Sequence, residues 1–309
     1  MQLANQIAYV ALVSSDPSAA ANVFERHFGL QRCDLASAAG PVPVFAIGAS
    51  ALALFPTEHP LLDGEARPGL HHIALAVDSL DEAARRATVA GAAPSASTSG
   101  LAGRSIKRLA RDATVGIRTV LTERLDIATS HSGIVTKIDH IGVASTDVRE
   151  DEAVFTTKFG FPVESRQTDM EVSLAVESFT SDKYGVVYHT RAPEPVGGLR
   201  VTFITVGECE LEFLANFDPR QGVEMRPGEA GSTRQDQGAI TRFVASRGRG
   251  LHHLAVRSPD INGLLGSMAS AGVPMIDTRG RPGSRRALIG FPHPKALGGV
   301  LMHVVQRPD

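Results

Sequence analysis

Residues 7–30 read IAYVALVSSDPSAAANVFERHFGL, and residues 138–161 read IDHIGVASTDVREDEAVFTTKFGF. Aligned, Phe24, Phe28 and Gly29 fall on Phe155, Phe159 and Gly160, 131 positions later. A second pair follows: GLHHIALAVDSLDEAARRATVAGA from Gly69 and GLHHLAVRSPDINGLLGSMASAGV from Gly250, 181 positions apart. The chain is therefore an internal duplication. The second half carries an insertion between its two matched segments, because the second offset exceeds the first.

Each matched segment has the same internal grammar. An apolar run of strand length comes first. Asp with Ser or Thr follows, the residue types that cap exposed N–H groups at a helix start. An amphipathic stretch comes next, and then a glycine suited to a left-handed helix end. Two further apolar runs, FAIGASALALF (45–55) and RVTFITVGECELEFL (200–214), place Gly48 and Gly207 where a hairpin must turn. The unit is β-α-β-β-β. Four such units predict an α+β chain of two tandem domains, residues 1–130 and 137–309, joined through the polar stretch 128–136.

Four ionisable side chains stand on apolar runs of the second half: His140 in IDHIGVA, Glu212 in CELEFLA, His253 in LHHLAV and His303 in GVLMHVV. Such groups are costly to bury without a partner. Three imidazoles and a carboxylate suit a divalent first-row metal. Strand parity puts Glu210 on the same face as Glu212, so Glu210 is the rival. It puts His252 on the face opposite His253, as a core residue or a support for the site. The matching first-half positions hold Tyr9, Ala53, His72 and Val120. Alanine and valine cannot bind metal, so that half is expected to carry no metal site, with His72 a hydrogen-bonded remnant.

Composition narrows the class. The 309 residues are 43% hydrophobic, enough for real cores. With 31 basic and 33 acidic residues the net charge is −2, which implies no bulk attraction to nucleic acid or membrane. No apolar run approaches the ~18 residues of a membrane span, and the first residues do not read as a cleavable leader. Cys33 and Cys209 make no disulfide framework and no CxxC motif. A cytoplasmic protein with a small-molecule partner is the expectation.

The four-unit arrangement resembles the vicinal oxygen chelate superfamily, which includes glyoxalase I, extradiol dioxygenases, fosfomycin-resistance proteins and methylmalonyl-CoA epimerase. The resemblance implies two curved eight-stranded sheets, with ligands on the first and last strands of each unit. It covers nearly the whole chain and is sharpest to the epimerases over 137–306. There the matching pieces are DHIGVAS, GLRVTFITVGECELEFLA, AITRFVASRGRGLHHLAV and GFPHPKALGGVLMHVVQ. It implies His140, Glu212, His253 and His303 as ligands of one divalent metal (Co, Mn, Ni, Zn or Fe). The chain departs from the epimerases at His303, where they carry a glutamate that also moves a proton.

The resemblance further suggests Glu194, in APEPVGGL, as a catalytic base alongside Glu212. Arg285, Arg286 and Lys295 would then hold an anionic substrate, within a basic cluster that includes Arg279 and Arg281. Tyr184, Tyr188 and His189 either line the pocket or belong to an inserted hairpin. The leading expectation is an epimerase- or isomerase-like enzyme working through a metal-stabilised enolate of a carbonyl acid or acyl thioester, a lyase step sharing the same intermediate. An iron-dependent extradiol-type dioxygenase is the alternative, and a non-catalytic binding protein of the resistance type the third. The two halves are expected to pair as separate epimerase protomers do, with a homodimer possible beyond that.

Overall fold

A computed structural model describes residues 2–64, 66–127, 132–218 and 238–308. The expected junction at 128–136 lies partly outside these. The first half runs β1 (Gln6–Val13), α1 (Pro17–Asn22), β2 (Arg32–Ser37), β3 (Gly40–Ile47) and β4 (Ser50–Phe55). It continues with β5 (Gly69–Ala76), α2 (Leu80–Val89), β6 (Thr98–Ser99), β7 (Ser105–Arg108) and β8 (Thr119–Thr122). The second half repeats this with β9 (Lys137–Ala144), α3 (Val148–Ala153), β10 (Val163–Ser173), an inserted hairpin β11 (Val176–Ser181) and β12 (Gly185–Thr190), then β13 (Glu194–Val206) and β14 (Cys209–Phe217). After α4 (Ala239–Arg247) come β15 (Gly250–Arg257), α5 (Ile261–Ser270), β16 (Arg281–Pro282), β17 (Leu288–Gly290) and β18 (Met302–Gln306).

Each half is one curled eight-stranded sheet with its units side by side. The orders are β2-β3-β4-β1-β5-β8-β7-β6 and β10-β13-β14-β9-β15-β18-β17-β16. The capping grammar is realised: Asp16, Asp147 and Asp260 accept from Ala19, Arg149 and Gly263 backbone N–H groups. In the second unit Ser79 takes that role, accepting from Glu82, while Asp78 accepts from Asn5. Gly48 and Gly207 turn their hairpins at φ +58° and +66°, where a Cβ is strained. The insertion includes an exposed hairpin carrying Tyr184, Tyr188 and His189, away from the cavity described below.

The ladders establish the equivalence of the halves. Ala11 pairs with Ala53 as Gly142 pairs with Glu212, and Ala74 pairs with Val120 as Ala255 pairs with His303. The halves also pack reciprocally. A Cβ on Gly116 would lie 2.5 Å from the Arg249 carbonyl oxygen, and one on its counterpart Gly299 would lie 2.5 Å from Pro68, the counterpart of Arg249. The 48–49 turn meets Lys137 and Glu208, while the 207–208 turn meets Asn5 and Gln6. Such mutual contacts are the signature of a two-fold relation. A single apolar core runs from Leu12, Phe24 and Phe28 through Phe155, Leu254 and Val304, so neither half closes its core alone.

Candidate metal centre

The inner faces of the two sheets differ in chemistry. In the first half that face is filled by Ala11, Val13, Val44, Ala53, Phe55, Ala74 and Val120. The polar remnant is Tyr9–His72–His71. The His72 Nε2 lies 3.3 Å from the Tyr9 hydroxyl, and the two imidazoles share an Nδ1···Nδ1 bond of 2.8 Å. Burial pulls both histidines down, His71 to about 4, and pushes the Tyr9 phenol up.

In the second half the same four positions converge. β9, β14, β15 and β18 are neighbours, so His140, Glu212, His253 and His303 meet on one face. The ligand nitrogens of His140, His253 and His303 lie within 4.8 Å of one another. Glu212 Oε2 is 3.4 Å from His140 Nε2 and 3.2 Å from His253 Nε2. All four are buried. Burial opposes the Glu212 charge, but His140, His253 and Arg285 hold its carboxyl down at about 2. Burial lowers His253 and drives His303 well below the ordinary imidazole value, so both are neutral donors. Glu210, the rival, is turned to Arg285 at 2.5 Å instead.

Two β-bulges shape what stands behind the ligands. Opposite β9 and β15 the register skips Asp139 and His252, so each extra residue shares a face with its neighbour. His252 therefore does not point away from His253, as simple alternation predicts. Its Nδ1 sits 2.9 Å from His253 Nδ1. Asp139 Oδ1 accepts from His140 Nδ1 at 2.8 Å. Both bonds use Nδ1 and leave Nε2 directed inward, the arrangement that orients metal-ligating histidines. Asp139 has no exposed surface and is gripped by Arg257 at 2.8 Å and by Arg307. Burial works against its charge, yet His140 and Arg307 hold it well below the usual carboxylate range.

The donor set fits a divalent metal. Both nitrogens of His303 are buried without a hydrogen-bond partner, and His253 Nε2 faces the Glu212 carboxylate. Orphaned buried polar atoms are rare, and a partnerless imidazole beside two histidines and a carboxylate fits an ion among them. Two neutral imidazoles, a third held by a carboxylate, and one low-pKa carboxylate are donors for a borderline transition metal.

The cavity over this cluster has a volume of about 260 Å³. Its walls include Leu199, Leu214, Asn216, Ile240, Phe291 and Val305. Several residues expected at the site stand elsewhere. Glu194 is exposed at the outer end of β13, paired with Ser173, because the insertion lengthens that hairpin. Arg285 is bound to Glu164 at 2.9 Å and Glu210 and lies 3.6 Å over the Phe203 ring, engaged with protein rather than lining the cavity. Arg286 follows it in a left-handed turn and Lys295 is exposed on the turn Pro294–Leu297; neither lines the cavity. The cavity arginines are Arg281 and Arg307.

Two groups escaped sequence reading. Asp169 lies across the ladder from Leu199, a wall residue, and so shares its face. It is buried, one oxygen accepts from Gln167 at 2.5 Å, and the other has no partner. Asp139 was hidden because nothing in IDHIGVA announces a bulge.

Comparisons with known proteins agree with the two-domain fold. Two profiles of the Glyoxalase/Bleomycin resistance protein/Dioxygenase superfamily match residues 6–101 and 139–291. The chain belongs to that superfamily, as a tandem of two of its domains. No curated protein matches the sequence. Among solved structures, a mutant 4-hydroxymandelate synthase from Streptomyces coelicolor is 18% identical with a TM-score of 0.63, covering 99% of this chain and 93% of that one. The shared feature is the fold. Methylmalonyl-CoA epimerase from Streptomyces coelicolor is 22% identical over 56% of this chain and 95% of its own, with a TM-score of 0.37. The epimerase from Mycobacterium tuberculosis is 22% identical over 59% and 93%, with a TM-score of 0.38. No helix among the described residues is long and apolar enough to cross a membrane.

Proposed function

We propose that this chain is a divalent-metal-dependent enzyme that removes and returns a proton beside a carbonyl, as an epimerase or isomerase of a small carbonyl acid or acyl thioester. The carrying observation is the convergence of four donors, His140, Glu212, His253 and His303, on one buried face. When bound, the metal supplies Lewis acidity toward a substrate carbonyl. His140, Glu212, His253 and His303 would hold the metal on the floor of the cavity, where a substrate oxygen could reach it. The iron dioxygenase alternative uses a facial triad of two histidines and a carboxylate, which keeps three positions open. That reading needs one of these four donors to stand aside.

The chain's own residues divide the remaining work. Asp139 and His252 hold the Nδ1 atoms of His140 and His253. Leu199, Leu214, Ile240 and Phe291 exclude water. Arg281 and Arg307 stand on the wall, paired with Asp277 and Asp139, and make that side of the cavity favourable to an anionic substrate group. Asp169 takes the role of base that Glu194 is too distant from the wall to fill. Burial raises its pKa to about 6 against the Gln167 bond, with Glu212 adding to the rise, and a base of that pKa is poised for neutral pH.

Elemental analysis of protein purified without added metal should find about one Co, Mn, Ni or Zn per chain. Solvent deuterium should then exchange into the position beside the carbonyl of 2-substituted acyl thioesters or 2-oxo acids, and Asp169→Asn should abolish that exchange while keeping the metal. Iron with oxygen consumption would replace this reading by the dioxygenase. A chain that takes up no metal would leave a binding protein.

A further inference from the structure

A second cavity, of about 480 Å³, opens where the two halves meet at the starts of β5 and β15. Its wall carries Arg67, Arg111, Arg118, Arg247, Arg249 and His71 and, among the described residues, no carboxylate. Asp63 stands behind it, 4.0 Å from Arg118 and 3.8 Å from His71. Glu150 and Asp151 answer Arg249 from outside. Arg111 and Arg247 are instead held by backbone carbonyls, so they bring positive charge to the cleft. Burial and the neighbouring Arg111 pull the Arg118 guanidinium down, the mark of like charges held together.

We propose that this junction cleft binds a phosphate-bearing small molecule, at a site separate from the metal centre. The arginines are held in place. Arg111 donates from Nε and Nη2 to the Gly116 carbonyl at 3.3 and 3.2 Å. Arg247 donates to the Pro68 carbonyl at 3.1 Å and lies over the Phe243 ring. Arg249 is fixed by its two carboxylates, while its buried Nε has no hydrogen-bond partner. Preorganised guanidinium forks match phosphate oxygens.

The internal symmetry supplies a control. At the equivalent edge, the counterparts of Arg111, Arg118, Arg247 and Arg249 are Pro294, Leu301, Ala66 and Pro68. Both edges close the same local turn, Gly116 N–H to Arg111 C=O at 2.7 Å and Gly299 N–H to Pro294 C=O at 2.8 Å, and each glycine packs across the joint, against Arg249 and Pro68. Joining the halves therefore does not require arginine, and the charge belongs to one edge alone. Helix α4 is a wall common to both cavities. Ala239 and Ile240 face the metal centre, and Phe243 and Arg247 face the basic cleft. Phe243 packs edge-on against His252 at 4.7 Å between ring centres.

The test is a calorimetric titration of the full chain, as purified, with inorganic phosphate and then glycerol phosphate. One saturable site per chain is expected. Arg118→Gln and, separately, Arg111→Gln should each weaken it about tenfold, the equivalent of one charge-assisted bond. Arg111 is exposed, so R111Q keeps the test readable if R118Q does not fold. His303→Gln should lose metal and keep phosphate affinity. Absence of saturable binding, affinity unchanged in R111Q, or loss in His303→Gln would each overturn the proposal. None of these outcomes depends on the proton-transfer reading.

Discussion

His140 and Asp139 are consecutive residues, yet Asp139 Oδ1 accepts a 2.8 Å hydrogen bond from the His140 imidazole. On a regular strand their side chains would point to opposite faces. The bulge at Asp139 turns them to one side. It converts a strand neighbour into the group that sets which nitrogen of His140 is directed toward Glu212.

Asp139→Asn should therefore harm both stability and metal binding. It leaves Arg257 and Arg307 without their shared anion, a loss of roughly 3–5 kcal/mol for a buried pair. Metal affinity should fall about 10–100-fold, as for other supports of ligating histidines. Denaturant unfolding and a competitive chelator titration measure the two effects. An unchanged metal affinity would remove Asp139 from the site.

His303→Gln separates ligation from stability. Elemental analysis should show metal content well below one per chain. The metal-free variant should unfold within about 1 kcal/mol of the metal-free parent, because the imidazole it loses makes no hydrogen bond. A fully retained metal would mean that three donors suffice.

The metal-free protein should lose stability as pH falls through the range of histidine. Burial lowers His71 to about 4 and His252 to about 3, and lowers His72, His253 and His303 as well. Their unfolded counterparts titrate near 6.5. Between those values the unfolded chain binds more protons, so stability is full above about 6.5 and declines below it. Asp151 and Asp169, each raised to about 6 chiefly by burial, act oppositely: their contribution is present at low pH and lost as pH rises. Five histidines outweigh two aspartates. Calorimetry should show Tm falling from pH 7 to pH 5 and a shallower fall in His71→Gln. A flat profile would contradict the neutral buried imidazoles.

Gly116→Ala tests the joint between the halves. Its φ of +92° and the Arg249 carbonyl 2.5 Å from a Cβ leave no room. A loss above about 1–2 kcal/mol is expected from the backbone conformation alone. The chain should still unfold in one transition, because the halves share a core. Gly91→Ala, also at positive φ but with nothing near its Cβ, is the control and should cost less. Two separated transitions in Gly116→Ala would show that the halves are independent.

The duplication, the four units, the hairpin turns and the placement of His140, Glu212, His253 and His303 on separate strands are legible in the chain. Apolar periodicity and capping residues are local, and repetition at two offsets exposed the architecture. The remainder depended on distance. Glu194 looked suitable because its motif neighbours match, but the inserted hairpin carries it to the far end of β13. Arg285 looked free, yet Glu164 and Glu210 claim it across more than 70 residues.

By itself, the sequence determined which residues lie on strands, which faces are apolar, and that one half retains donors where the other has Ala53 and Val120. Those properties follow from side-chain chemistry at a fixed period. Only the tertiary structure decided that Asp139 and His252 stand behind His140 and His253, that Asp169 lies across the ladder from Leu199, and that five arginines crowd one edge of the joint. Bulges arise from pairing with a neighbouring strand, and charge clusters arise from segments distant in the chain, so neither is written in any local pattern.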